Sequence, residues 1–378
     1  MKLHAGILTV ALGALLTTPG TGFCDPSPLK VGIIAPLSGP LAQYGQALKN
    51  GIDLASADSP AIAANCSFAF EDSKYDPKTA VSALQRLATD RFTVIYNWGG
   101  PTSSAVAPLA DRLNVAMFVV SMDPRVSKGS ARVIRFANSG AQYGQQLAEA
   151  LKASGLRRVG IVRTENDYLN VVLDGLKQHA QPGLEIEDIA SYLPSDTDFR
   201  SSVTKIRAAK LDAIGVFLIS GQVSAFYRQL SEQNLKVPTF GTDFFESTSE
   251  VKASGVSIEG AIFANNAVDS DFHNVYKAKF GNDYQITYAA NGYDFAMLLC
   301  RDLPSKQPSL SANDVLVQMK SVSSNGKLGP YAYRDEDGDK YIAFPIVIRK
   351  IVDGRIVTAP QDNKPLDGSA ARREVRAN

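Results

Sequence analysis

The stretch from Leu29 to Leu54, LKVGIIAPLSGPLAQYGQALKNGIDL, restricts what this chain can become more than any other. Val31, Ile33, Ile34 and Ala35 form a run too continuously apolar for a strand with one wet face, so a parallel strand covered on both sides is expected. Pro36 to Pro40 interrupt the run, and Leu41, Tyr44, Leu48, Ile52 and Ala55 then recur at helical spacing. Strand, loop and helix in that order make the first half of a βαβ unit, and open α/β sheets hold ligands at the carboxyl ends of such strands. The loop, rich in small polar groups, is therefore predicted to border a binding site.

The alternation continues along the chain. Strands are predicted at Leu29–Ala35, Ser67–Glu71, Thr93–Tyr96, Val115–Val119 and Val133–Phe136, with helices between them. A second series follows at Val159–Val162, Glu185–Ser191, Ala213–Leu218, Val237–Gly241 and Ala261–Ala264. The segments Phe272–Phe280, Tyr288–Leu303 and Ala312–Val322 read as helices, and Tyr341–Ile351 as one alternating strand. At 378 residues, 45% of them hydrophobic, the chain exceeds what one core organises. The fold class read from this pattern is α/β, with two doubly wound Rossmann-like lobes and a cleft between them.

Met1 to about Gly22 combines an early Lys, an apolar core from Ile7 to Leu16 and the small residues Gly20 and Gly22, the pattern of a cleaved secretory signal. No later run approaches the roughly 18 to 20 apolar residues of a membrane span, which points to export without anchoring. Cys24 admits a lipoprotein reading, opposed by the bulky Phe23 before it. The 39 basic and 38 acidic side chains leave a formal charge of +1. That balance offers no basic field for nucleic acid or lipid headgroups. The polar stretch 361–378 lacks periodicity and is expected to be a disordered tail.

Three cysteines occur without a CxxC pair, against a zinc ribbon or redox motif. Cys24 and Cys66 precede strands expected to be neighbours, so they form either a disulfide or two free thiols. Cys300, in an apolar helical run, reads as a small core residue. His179 and His273 sit on predicted helix faces, away from strand ends. There is no GxSxG elbow, phosphate loop, GxGxxG or HExxH, so neither catalysis nor a cofactor is expected. The acidic turn Asp335 to Asp339 lacks the sixth-position glycine and twelfth-position acid of a calcium loop and reads as a solvated hairpin, with no metal. Asp58, Asp72 and Asp76 read as turn and cap residues.

The positive signals lie at strand ends. Asn97 to Ser104, NWGGPTSS, joins the third strand to a helix; its glycines admit a ligand to the backbone, and Thr102 to Ser104 can cap the helix or face an anion such as a carboxylate. The fourth strand ends in Val120 to Asp123. A carboxylate at the end of an apolar strand needs compensation: Asp123 either meets a donor on a ligand or caps the turn before Pro124.

PLSGPLAQYG and the GIDLA-like segment after it resemble the leucine/isoleucine/valine-binding family of periplasmic solute-binding proteins. The segments DSKYDPKTAVSALQRLATD (Asp72 to Asp90), YGQQLAEAL (Tyr143 to Leu151) and GPYAYRDEDGDKY (Gly329 to Tyr341) resemble its later landmarks in order and spacing. The resemblance implies a type I periplasmic binding fold with a three-segment hinge, crossed near Asn138, near Ala267 and between Gly329 and Tyr333. Lobe one would hold residues 25–138 and 267–331, and lobe two 139–266 and 332–358. It implies that Gly100, Thr102, Ser121 and Asp123 grip a ligand's polar groups, that Tyr168 closes over it and that Asp243 receives its ammonium. Ser220, beside Ile219, would stand at a strand end where the family often has an aromatic ring, and Tyr44 and Tyr288 would flank the ligand's side chain. Gly100 in place of a hydroxyl and Asp123 in place of a neutral residue depart from the pattern and count against a plain branched-chain amino acid. The implied function is a monomeric receptor that closes on a small amino acid, amide or organic acid and delivers it to an ABC permease and ATPase. The alternative is a sensory adaptor for a membrane receptor.

Overall fold

The computed structural model describes residues 28–303 and 310–359. The expected export signal, Cys24 and the expected tail 361–378 lie outside the described residues. Two sheets organise the rest. The first runs, in spatial order, Ser323–Gly326, Gly329–Glu336, Asp339–Ala343, Val133–Arg135, Ala116–Val120, Val94–Trp98, Leu29–Ala35 and Cys66–Asp72. The second runs Arg355–Thr358, Ile346–Val352, Ile262–Asn266, Thr239–Gly241, Ala213–Phe217, Arg158–Thr164 and Glu185–Tyr192. Within each, the first five strands in chain order pair in parallel in the order 2-1-3-4-5, the doubly wound arrangement.

The apolar runs explain this layering. Val31, Ile33 and Ala35 face one core and Ile34 the core on the opposite side, so the strand Leu29–Ala35 is dry on both faces. The second sheet is sandwiched in the same way. The helix Ala42–Asp58 packs so closely on Ile286–Met297 that a Cβ at Gly51 would sit 1.9 Å from the Ala289 carbonyl oxygen. That contact returns the late helices to the first lobe.

Two expectations change. The predicted strand Tyr341–Ile351 is two strands: Asp339–Ala343 in the first sheet and Ile346–Val352 in the second. Pro345 has no N–H for a ladder, and the chain crosses there. The third crossing is therefore at Phe344–Pro345 rather than Gly329–Tyr333, and Gly329–Glu336 belongs to the first sheet. The other crossings follow Arg135 and Asn266, and asparagines knit all three together. Asn138 Nδ2 donates to the Phe344 carbonyl (3.0 Å), and Asn266 Nδ2 donates to those of Pro345 (2.8 Å) and, through Oδ1, Asn138 (3.4 Å).

The second correction concerns sulfur. Cys66 pairs with Cys300, not with Cys24, across 234 residues of sequence. The docked late helix ends in a π turn over Leu298–Asp302, which brings Cys300 to the start of the edge strand; Asn65 Nδ2 donates to its carbonyl at 2.7 Å. The acidic hairpin turns on Asp337 and Gly338, both at positive φ. Its last residue is not solvated: Asp339 is buried and holds the buried Arg135 guanidinium through Nε (2.9 Å) and Nη2 (2.7 Å).

Candidate functional site

The carboxyl ends of the parallel strands of both sheets converge on a cavity of about 550 Å³ between the lobes. The first lobe contributes Trp98 to Pro101, after Val94–Trp98, and Val120 to Asp123, after Ala116–Val120. Glu165 to Tyr168 and Asp243 with Phe244 come from matching strand ends of the second. Both sets sit where doubly wound sheets place ligands.

Asp243 is the buried carboxylate of the cavity wall. It is 8% exposed, accepts a hydrogen bond from Tyr168 of its own lobe, and accepts a second at 3.2 Å from the Tyr288 hydroxyl of the other. Burial raises its pKa above the ordinary carboxylate value despite both hydrogen bonds. Rings form much of the remaining wall. Trp98 lies 4.9 Å from Tyr44, 5.3 Å from Tyr288 and 5.8 Å from Tyr75, centroid to centroid. Its indole Nε1–H is buried and has no hydrogen-bond partner among the described residues. Tyr44 reaches across the lobes, its hydroxyl 3.2 Å from Ser220 Oγ.

Seven of the nine residues singled out from the sequence line the cavity: Tyr44, Gly100, Ser121, Asp123, Tyr168, Asp243 and Tyr288. Thr102 does not. Its hydroxyl turns back to the carbonyls of Trp98 (2.9 Å) and Gly99 (3.0 Å), closing the first turn of the helix Gly100–Val106. Ser220 touches the site only through Tyr44. Asp123 is on the wall, but its cation is internal: Arg125 Nε lies 3.0 and 2.9 Å from its two oxygens and Nη2 2.7 Å from one, while the Arg125 N–H bonds the same carboxylate. Burial raises its pKa, but the Arg125 contacts overcome this and hold it below the usual value. The turn-capping reading of Asp123 is thus realised.

Tyr75 and Trp98 were missed as site residues. Trp98 lies in the NWGG loop, where the sequence argument rests on the glycines and hydroxyls alone. Tyr75 is aimed by local geometry: Lys74 and Tyr75 both have positive φ, and Asp72 staples their turn to the first loop by accepting from the N–H groups of Leu37 and Lys74, each at 2.9 Å, and from the Ser38 hydroxyl. Gly99 makes room for that ring. At φ +112° it lies in the region that disfavours side chains, and a Cβ there would meet Tyr75 at 2.6 Å. Neither mature-chain histidine lines the cavity: His179 bonds the Gly175 carbonyl and His273 bonds Asp283.

Known proteins share this fold. The Leu/Ile/Val-binding protein BraC3 of Rhizobium johnstonii is 29% identical over 279 residues, 70% of this chain and 73% of its own. The leucine-specific-binding protein of Salmonella typhimurium is 24% identical across 90% of this chain and 94% of its own. Among solved structures, a leucine-binding protein from Thermotoga maritima superposes with a TM-score of 0.76 at 22% identity, over 88% of this chain and 98% of that one. An ABC-transporter solute-binding protein of Rhodopseudomonas palustris in complex with 3,4-dihydroxybenzoic acid gives 0.76 at 22%, over 88% and 96%. These are binding proteins rather than enzymes, with the type I periplasmic binding fold. The periplasmic binding protein family matches residues 28–352, almost the whole described chain, and this protein belongs to that family.

Proposed function

We propose that this protein is an extracytoplasmic receptor that closes its lobes on a small amine-bearing ligand, amino-acid-like or an amide, and delivers it to an ABC permease and ATPase. The observation that carries this reading is Asp243, a buried carboxylate joined to one tyrosine of each lobe. A group that bonds it in the closed cleft draws on both lobes, and a ligand shifts opening and closing only by preferring one state. The three chain crossings give the lobes an axis to bend about. Similarity to solute-binding proteins of ABC transporters supports the delivery step, and the signal-like N-terminus supports export.

The test is a thermal-shift screen of purified mature protein against amino acids, amides, amines and aromatic acids. A ligand at 100 times its Kd adds about 2.7 kcal/mol of stability, which reads as a clear rise in Tm. Titration calorimetry of the hits, followed by loss of uptake of that compound on deletion of the gene, would establish transport. Binding without loss of uptake would leave a receptor but remove the importer.

A further inference from the structure

We infer that the cavity selects a compact organic cation that carries a hydrogen-bond acceptor, rather than a compound with a free carboxylate. This rests on the cavity being the ligand site and sharpens what that ligand is. Its wall includes Asp123, Glu165, Asp167 and Asp243 and no lysine, arginine or histidine. The acids are graded in depth, with Glu165 and Asp167 exposed at the mouth, Asp123 half-buried and Asp243 buried. With Asp123 held by Arg125, the two acids at the mouth and the buried Asp243 draw a cation inward, and low-dielectric walls concentrate the field.

The cations nearby are already engaged. Arg125, 76% exposed at its side chain, is held by Asp123. Arg163 donates to Asn170 Oδ1 at 3.0 Å, and the buried Arg135 is held by Asp339. A ligand carboxylate would therefore meet Asp243 with no free side-chain cation on the wall. Of the hydroxyls expected to face it, that of Thr102 is spent on the Trp98 and Gly99 carbonyls, that of Ser103 receives Asn97 Nδ2, and only that of Ser104 lines the cavity. The rings Tyr44, Trp98 and Tyr288 offer negative faces to a desolvated ammonium or amidinium.

A second, independent observation specifies another group on the ligand. Trp98 is 6% exposed and lines the cavity, and its Nε1–H has no acceptor. Indole nitrogen is a donor only, so it calls for an oxygen such as an amide or ester carbonyl or a hydroxyl. A molecule bearing a positive group for Asp243 and an acceptor for Trp98 satisfies both.

The experiment pairs compounds that differ in charge: leucine with leucinamide, phenylalanine with phenylalaninamide, and 4-hydroxybenzoate with 4-hydroxybenzylamine. Each is scored by thermal shift and calorimetry at pH 7 on wild type and on Arg125→Ala, with Asp243→Asn as the control that weakens binding. We expect the cationic member of each binding pair to be favoured by about 10-fold or more, and Arg125→Ala, which frees the Asp123 carboxylate, to widen that preference several-fold. Tighter binding of the carboxylate members overturns the inference while leaving the receptor reading intact. Equal affinity within pairs, or an Arg125→Ala variant that favours the carboxylates, also overturns it. No stabilisation by these or by any compound of the wider screen counts against the receptor reading itself, and the inference falls with it.

Discussion

Asp243 and Asp123 occupy the same cavity wall and have opposite electrostatic situations. Burial raises the pKa of Asp243, and its partners are neutral hydroxyls, so it retains an unmet demand for positive charge. Asp243→Asn keeps the shape and removes that demand. We predict a loss of about 10-fold or more in affinity for an amine-bearing ligand, because hydrogen bonds to charged groups are worth about 1.5–3 kcal/mol. Unchanged affinity by calorimetry would place the ligand's amine elsewhere. Asp123, its side chain 18% exposed, is already satisfied by Arg125, whose side chain is 76% exposed and leaves the pair screened by water. Asp123→Thr should therefore cost less than about 1 kcal/mol of stability by denaturant titration. The same substitution should change leucine affinity by less than about threefold. A large loss of affinity would show that Arg125 does not satisfy the carboxylate when ligand is bound. The sequence showed that Asp123 needed a partner but not which one, since an arginine two residues away is equally free to point into water.

At the scale of elements, the disulfide gives the sharpest test. It joins an edge strand of the first sheet to the end of a helix that reaches the lobe only after the chain has built the second sheet. Cross-linking so long a loop restricts the unfolded chain strongly, so Cys66→Ser with Cys300→Ser should lose on the order of 2–5 kcal/mol. Scanning calorimetry with and without reductant measures this. A reductant-insensitive wild type with an unchanged double variant would mean that the helix docks as firmly unaided. The central parallel strands were legible because burial on both faces demands continuous apolar runs, and Leu29–Ala35 was bounded to the residue. Ser323–Gly326, at the sheet edge, and Gly329–Glu336 beside it were not, because antiparallel strands left largely wet have no such demand and read as loop. The Cys66–Cys300 pairing depends on the contact between the helices Ala42–Asp58 and Ile286–Met297, which no local pattern encodes. The strand ends announced the site, while Tyr75 entered through a left-handed turn that its own residue types do not specify.

At the scale of the whole molecule the two lobes meet, and Glu246 lies in that contact. It belongs to the second lobe, is 2% exposed, and accepts a 2.5 Å hydrogen bond from Thr287 of the first. Burial raises its pKa to about 7, against the partial compensation of Arg349 and Thr287, and nearby Asp243 adds to the rise. Asp294, buried under the backbone N–H groups of Lys327 and Leu328, is raised to about 7 by the same cause. A carboxyl whose folded pKa is raised binds a proton more tightly folded than unfolded. Its contribution is fully present below the unfolded pKa, near 4 to 4.5, and is lost as pH rises through about 7. The acids with lowered pKa, among them Asp72, Asp76 and Asp123, act with the opposite sign and below their ordinary carboxylate range, so they leave the window from pH 5 to 8 clear. We therefore predict that Tm falls as pH rises from 5 to 8. Glu246→Gln should remove part of that slope and leave the protein more stable at pH 8 by on the order of 2 kcal/mol, and adding Asp294→Asn should flatten the slope further. If Glu246→Gln keeps the wild-type slope, water reaches this carboxylate and the inter-lobe contact is not dry. A preserved slope in the double variant would assign the pH dependence to other groups altogether.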